Sequence, residues 1–198
     1  MTKRSRILFA ATLCLGLGAY VPGALAKKAA PAAASSPPRA FQDDLVGRID
    51  EVQKKILSLE EAIPQDKFKW RPAAGVRSVS EAFLHIAYAN YGLTKVATGK
   101  EPPAAVGWGP DRDKWDKQST DKAAIKKILD DSFDYLHAAL KDVSDADLGK
   151  KVSFFGHEAT ERSVLMLLLG HLNEHMGQEV AYARANGVVP PWSMKQGG

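Results

Sequence analysis

Four stretches of this chain repeat their apolar residues every three or four positions, the period of one face of an α-helix. They cover residues 41–63, 78–99, 119–140 and 160–187. Pro64 ends the first, Ser78 and Glu81 form a capping box that begins the second, and Ser119 or Thr120 begins the third. Four helices that are each apolar on one side can bury those sides together. The sequence therefore predicts an all-α fold, a four-helix bundle.

The connections between these stretches are long, with about 14, 21 and 18 residues. The middle one, residues 98–118, can run back along a whole helix, because an extended chain covers about 3.3 Å per residue. Parallel second and third helices are therefore permitted. Only residues 151–155 are a candidate strand.

The N-terminal residues predict export. Three basic residues within the first six precede an uncharged apolar run at 7–20, and a small-x-small cleavage pattern follows at 24–26. The run has 14 residues, fewer than the roughly 20 that a transmembrane helix needs. We expect residues 1–26 to be a signal peptide, 27–40 an Ala/Pro-rich disordered linker, and 41–198 one domain. The predicted location is the periplasm, without membrane attachment after cleavage.

Charge and cysteine content exclude two classes of function. From residue 41 onward the chain has 21 basic and 23 acidic residues, so a nucleic acid partner lacks its electrostatic basis. Cys14 is the only cysteine and leaves with the signal peptide. The mature domain therefore has no thiolate ligand and no cysteine nucleophile.

The fourth helical stretch turns polar groups toward the core. At 100° per residue, His171, His175, Gln178 and Tyr182 point within 40° of Val164, on the apolar side. Buried polar groups need partners, and two imidazoles one helical turn apart can bind one metal ion. Gln178 is then a candidate to orient a ligand, and Tyr182 a candidate proton donor.

His85 is the best candidate for a third metal ligand. It lies at the edge of the second apolar stripe, beside the small residues Ala82 and Ala89, which leave room for an ion. His137 lies off the apolar face of its helix and His157 falls in a predicted loop, so both are weaker candidates.

Residues 171–175 also match the H-x-x-E-H pattern of inverted zinc peptidases, in which Glu174 would be the general base. That class needs a further carboxylate far downstream. Here Glu179 is the only acidic residue after His175, and Glu174 points to the flank of the inward face. We therefore disfavour the peptidase interpretation.

Three segments together resemble the DinB-like superfamily: SVSEAFLHIA at 78–87, His171-x-x-x-His175-x-Gly177-Gln178, and YARANGVVPP at 182–191. The resemblance covers about residues 41–192. It implies an up-down-down-up four-helix bundle and a divalent metal, typically zinc or nickel, held by His85, His171 and His175. Some relatives look like thiol transferases that use bacillithiol, mycothiol or glutathione. The export signal sets this chain apart, because those thiols are mainly cytosolic.

These features predict a metal-dependent hydrolase or thiol transferase that acts on a small molecule through an activated water or thiol. Trp108, Trp115 and Trp192 either wall an apolar substrate pocket or cover the end of the bundle. Two alternatives remain open: a periplasmic metal-binding or stress-associated bundle without turnover, and a structural bundle whose histidines do not converge. A homodimer also remains open.

Overall fold

A computed structural model of the protein describes residues 39–194. The predicted signal peptide and residues 27–38 of the predicted linker lie outside the described residues. Among the helices that are described, none is long and apolar enough to cross a membrane. The first helix begins at Ala40, the last position of the predicted linker.

Four long helices carry the fold, as the apolar periodicity predicts. The elements in chain order are α1 (Ala40–Ala62), α2 (Val79–Thr98), α3 (Arg112–Asp116), α4 (Lys122–Leu140), β1 (Lys151–Phe154), β2 (His157–Thr160) and α5 (Glu161–Ala185). Helices α2 and α1 each pack against both α4 and α5, which places α1 and α2 at opposite corners of the bundle. The predicted all-α four-helix bundle is confirmed.

Contacts near the helix ends give the direction of each helix. The Gln42 side chain donates to the Leu140 carbonyl at 3.1 Å, and Lys122 donates to the Ile63 carbonyl at 2.9 Å, so α1 and α4 are antiparallel. The Tyr135 hydroxyl, near the C-terminal end of α4, donates to the carbonyl of Lys100, just after α2. Helices α2 and α4 therefore run in the same direction, and the long connection between them is a crossover.

Helix α5 runs parallel to α1, because the Arg162 guanidinium, at the start of α5, lies 5.1 Å from the Phe41 ring centroid, at the start of α1. It is antiparallel to α2, since Trp70, just ahead of α2, packs edge-on against Tyr182 near the end of α5. His85 in the first half of α2 then lies against His171 and His175 in the middle of α5. The order is up-down-down-up, as the family resemblance implies.

The core consists mainly of the predicted apolar stripes, and Phe68, Phe133 and Leu165 join it from outside them. Its fully buried members include Ile49, Ile56, Leu59, Phe68, Phe83, Ile86, Ile125, Leu129, Phe133, Leu165 and Leu168. Burying one such side chain stabilises the fold by about 1.5–3 kcal/mol. This packing holds α2 and α5 rigidly side by side, and the candidate site lies between them.

Helix α4 begins later than predicted, at Lys122, because the N-cap is Asp121 and not Ser119 or Thr120. The Asp121 carboxylate accepts from the Ala124 N–H at 2.8 Å. The Ser119 hydroxyl accepts from the Asp121 N–H, and the Thr120 carbonyl accepts from Gln65. Ser119 and Thr120 therefore form hydrogen bonds in the turn that precedes the helix.

A β-hairpin precedes α5, where the sequence predicts only one candidate strand at 151–155. β1 pairs antiparallel with β2, so His157 lies in a strand and not in the predicted loop. The turn consists of Phe155 and Gly156, which have φ values of 48° and 80°. Two consecutive positive φ values match the twist of a tight hairpin. The short β2 has too little alternation to predict.

Candidate metal centre

Three imidazoles meet between α2 and α5. The Nε2 atoms of His85 and His171 are 3.2 Å apart, and one nitrogen from each of His85, His171 and His175 lies within 4.8 Å of the other two. The ring centroids are 4.3–5.0 Å apart. His171 and His175 reach one point because they lie one turn apart on α5. The structure therefore brings together all three histidines predicted as metal ligands.

The outer nitrogens of two rings have polar neighbours. His85 Nδ1 lies 3.4 Å from Oδ2 of Asp116 in α3, and that oxygen accepts a hydrogen bond from Arg77 Nε at 2.8 Å. His175 Nδ1 is 2.7 Å from the Gln178 side-chain oxygen and donates to it. A proton on Nδ1 leaves the Nε2 lone pair free, which is the tautomer that binds a metal through Nε2.

His171 and His175 favour the neutral form. Burial lowers the pKa of His171 to about 3, and the neighbouring His175 and His85 act in the same direction. Burial also lowers the pKa of His175, and its hydrogen bond to the Gln178 oxygen acts in the opposite direction. Neutral imidazole is the form that coordinates cations. Burial would raise the pKa of Asp116, but contacts with His85 and Arg77 hold it below its usual range, so this carboxylate is charged.

The donor set fits a divalent cation. Two nitrogens that bind one tetrahedral zinc ion at 2.0–2.1 Å are about 3.3 Å apart, and the His85 and His171 Nε2 atoms are 3.2 Å apart. Without a cation, the cluster holds three mostly buried imidazoles against each other, and His171 Nδ1 has no hydrogen-bond partner. A shared cation offsets the cost of burying these polar rings.

One cleft reaches the cluster from the surface, and a second reaches the residues that contact its outer nitrogens. The first has a volume of about 450 Å³, and His85 and His171 lie among apolar side chains in its lining. The second, of about 510 Å³, is polar and is lined by residues that include Arg77, Asp116 and Gln178. A small molecule can therefore approach the histidines and the groups that contact their outer nitrogens.

Gln178 and Tyr182, predicted as catalytic, form one hydrogen-bonded chain with His175. The Gln178 side-chain nitrogen donates to the Tyr182 hydroxyl at 2.7 Å. Tyr182 is buried, lies edge-on to Trp70 and lines neither cleft, whereas Gln178 lines the polar one. This geometry assigns the two residues to positioning His175.

The remaining histidines lie elsewhere. His137 Nε2 is 2.7 Å from the Gln53 side-chain oxygen on α1, and His157 is exposed on β2. Glu174 is exposed on the flank of α5, as its angle predicts. Glu179, by contrast, is fully buried without a hydrogen-bond partner, and burial raises its pKa well above the usual value.

The three tryptophans do not share one pocket. Trp108 lines the apolar cleft. Trp115 is buried, and its indole N–H donates to the Leu84 carbonyl at 2.9 Å, so it packs the crossover against α2. Trp192 lies on a turn that packs against α1 and is absent from the lining of the cleft. Of the two alternatives, lining a pocket fits Trp108, whereas Trp115 and Trp192 lie outside the apolar cleft.

Asp116 and Arg77 are the site residues that sequence reasoning missed. Arg77 directly precedes the cap of α2, and Asp116 lies in the crossover, where no periodicity assigns it a direction. The one sequence feature that could have indicated a helix here is Asp111, a good N-cap residue. Its side chain caps α3 by accepting from the Lys114 N–H.

Comparison with known proteins agrees with this fold. Residues 48–178 match the family model described as the DinB superfamily. A DinB-like protein from Bacillus cereus ATCC 10987 has 20% sequence identity and a TM-score of 0.64, over 75% of this chain and 95% of that one. No curated protein matches this chain.

Two further solved structures share the fold. YfiT from Bacillus subtilis is described as a probable metal-dependent hydrolase with an unusual four-helix bundle topology; it has 18% identity and a TM-score of 0.60, over 81% of this chain and 94% of that one. A mycothiol-dependent maleylpyruvate isomerase has 16% identity and a TM-score of 0.55, over 69% of this chain and 59% of that one.

Proposed function

This chain belongs to the DinB superfamily, and from that premise we propose that it is an exported, divalent-metal-dependent hydrolase that acts on a small molecule. The observation that supports this proposal is the cluster of His85, His171 and His175, of which His85 and His171 line an open cleft. In a structural bundle without a metal, nothing would offset the free-energy cost of burying three imidazoles whose nitrogens lie within 4.8 Å of one another.

The three histidines would hold the cation through one nitrogen each. Imidazole suits zinc and nickel, and a three-histidine set leaves a coordination position for a further ligand. When bound, the cation supplies positive charge that lowers the pKa of a neighbouring water or thiol, because three neutral ligands leave its charge undiminished.

The surrounding residues keep the histidines in place. Asp116, held by Arg77, lies 3.4 Å from His85 Nδ1, and its charge favours the tautomer with a proton on that nitrogen. The Gln178 oxygen favours the same tautomer of His175, and the Tyr182 hydroxyl fixes the Gln178 amide. We propose that Gln178 and Tyr182 act in this way, as positioning residues.

Thiol transfer is the second candidate, favoured by the structural likeness to a mycothiol-dependent isomerase. The only cysteine, Cys14, lies within the predicted signal peptide, so an external thiol would be needed. An exported enzyme has more ready access to water than to cytosolic thiols, which favours hydrolysis. A metal-binding protein without turnover is disfavoured by the two clefts, because storage alone needs no open path for a substrate.

Elemental analysis tests the metal site. The purified full chain should contain about one zinc or nickel ion per molecule, and His171→Ala should lose most of it. His157→Ala is the matched control, because His157 is exposed on β2 and should leave the metal content unchanged. Stoichiometric metal in His171→Ala would contradict the assignment.

Two further measurements test activity and export. Metal-loaded protein should hydrolyse at least one member of a panel of esters, amides and lactones, and His171→Ala should not. Hydrolysis by both proteins, or by neither, would count against the hydrolase proposal. Mass spectrometry of the periplasmic fraction should find a chain that begins at Lys27. A chain that retains Met1 in the cytoplasm would contradict export.

A further inference from the structure

The apolar cleft beside the histidine cluster has the features of a substrate subsite. Its lining comprises His85, Tyr88, Ala89, Gly92, Leu93, Val96, Trp108, Arg112, Phe154, Phe155, Leu167 and His171. Small-molecule sites are typically concave and mostly apolar, with a few polar groups that fix orientation. Here the polar groups are the two imidazoles and Arg112, which is the only permanently charged side chain among the described residues of the lining.

One wall of the cleft is held in place without a ligand. The Trp108 indole N–H donates to the Tyr88 carbonyl at 3.1 Å, and the two rings are 5.5 Å apart. Gly92 lets the indole lie close to α2, because a Cβ at this position would be 3.1 Å from Trp108 Cζ2. The wall is therefore preformed, and a ligand need not order it.

The opposite wall contains an unusual residue, Phe155. It lies at the hairpin turn with φ of 48°, a conformation that bulky side chains rarely adopt. Its side chain is 88% exposed, yet it lines the cleft and packs against Phe154, with ring centroids 4.6 Å apart. Folding therefore gains little from this phenyl ring. Asn or Gly would suit the turn better.

We propose that this cleft binds an aromatic or similarly apolar part of the substrate, and that Phe155 is a specificity-determining residue at its outer wall. This inference rests on the proposed function, because it places the polar reacting group of the substrate at His85, His171 and His175. Arg112 is paired only loosely, 3.8 Å from its neighbour Asp113. Its charge favours neutral or anionic substrates over cationic ones.

Two hydroxamates with the same metal-binding head test the proposal. Acetohydroxamate carries a methyl group and benzohydroxamate a phenyl group, and each is titrated by calorimetry into the zinc-loaded full chain. Burial of the phenyl ring should make benzohydroxamate bind about 10- to 100-fold more tightly. Equal affinities would overturn the proposed subsite and leave the proposed metal centre standing.

Phe155→Gly tests the assigned wall without damaging the fold, because glycine adopts positive φ freely. The variant should unfold at the same temperature as the parent protein or higher. Its preference for benzohydroxamate should fall at least threefold. Met166→Ala is the matched control, since Met166 is 51% exposed on α5 and lies outside the lining. An unchanged preference in Phe155→Gly, or the same loss in both variants, would overturn the assignment of Phe155.

A metal-free titration separates this proposal from the proposed function. Failure of both hydroxamates to bind would contradict the proposed metal centre. The metal-free full chain is then titrated with anilinonaphthalenesulfonate, an apolar fluorescent anion. Affinity that falls at least threefold in Phe155→Gly and is unchanged in Met166→Ala supports the apolar subsite. No binding, or binding that neither substitution affects, overturns it.

Discussion

Asp116 Oδ2 lies 3.4 Å from His85 Nδ1, the ring nitrogen opposite the one that faces His171. The same carboxylate oxygen accepts from Arg77 Nε, so a side chain of the crossover is tied to two residues of the α2 region. A carboxylate behind a metal-binding imidazole fixes the orientation of the ring and increases its basicity. The five-residue α3 therefore supports the proposed ligand His85, which lies on another helix.

Asp116→Asn should weaken metal binding about 10- to 100-fold, because the amide keeps the size of the side chain but loses the charge that holds His85. Competition between the protein and a chromophoric chelator for zinc measures the change. Asp113→Asn is the control, since Asp113 is exposed on the same short helix. Equal zinc affinity in Asp116→Asn and the parent protein would refute the positioning role.

Gln178→Ala should weaken zinc binding by about tenfold, because His175 loses the acceptor that holds its proton on Nδ1. Tyr182→Phe removes only the next partner in the chain. It should lower the free energy of unfolding by about 1 kcal/mol and change zinc affinity less than threefold. Chelator competition and urea unfolding of the metal-free protein give the two quantities. A larger loss of zinc affinity in Tyr182→Phe than in Gln178→Ala would contradict the assignment of Gln178 as the residue that contacts His175 directly.

Glu60 should make stability depend on pH. Its carboxylate is buried without a hydrogen-bond partner, and burial raises its pKa from 4.5 to about 7 against the opposing charges of Lys122 and Lys126. Below pH 4.5 the group is protonated in both folded and unfolded chains. As the pH rises to 7, the unfolded chain loses the proton first, so the free energy of unfolding decreases by up to about 3 kcal/mol.

Urea unfolding at pH 5 and pH 8 measures the Glu60 effect. Glu60→Gln should be more stable than the parent protein at pH 8, and its free energy of unfolding should fall less between pH 5 and pH 8. The buried Glu179, whose pKa is also raised, remains as a contribution of the same sign. Glu61→Gln serves as the comparison, because Glu61 is the exposed neighbour on α1. An identical pH profile in the parent protein and Glu60→Gln would show that Glu60 does not titrate in this range.

Asp121→Ala should lower the free energy of unfolding by about 1 kcal/mol, because the Ala124 N–H loses its acceptor at the start of α4. Ser119→Ala should cost less, since the Ser119 hydroxyl contacts only the turn before the helix. Urea unfolding at neutral pH measures both changes. A larger cost in Ser119→Ala would restore the earlier helix start that the sequence predicts.

The helices and the three clustered histidines could be predicted because helical periodicity is a local property. Residues three or four apart share a face whatever the helix packs against, so the inward direction of His171 and His175 follows from their spacing. The capping box at Ser78 is equally local, and the structure contains it. The start of α4 was missed because Ser119, Thr120 and Asp121 are all good caps, and only contacts made elsewhere in the fold distinguish them.

The hairpin and α3 could not be predicted from local sequence patterns. β2 has four residues, and its pairing with β1 depends on the turn at Phe155 and Gly156. A phenylalanine with positive φ is uncommon enough that no sequence rule would place it there. α3 is too short for a periodicity of its own, so nothing in the sequence indicates that Asp116 faces inward.

The sequence by itself determined the number of long helices, the side of each that is buried, and the shared inward face of His171 and His175, because backbone geometry repeats these features every turn. The packing of α2 against α5 brings His85 to these two histidines. Only the tertiary structure decided that Asp116 supports His85 and that Trp108 and Phe155 flank the cleft. These residues lie on connections, where direction depends on what the packed helices leave open.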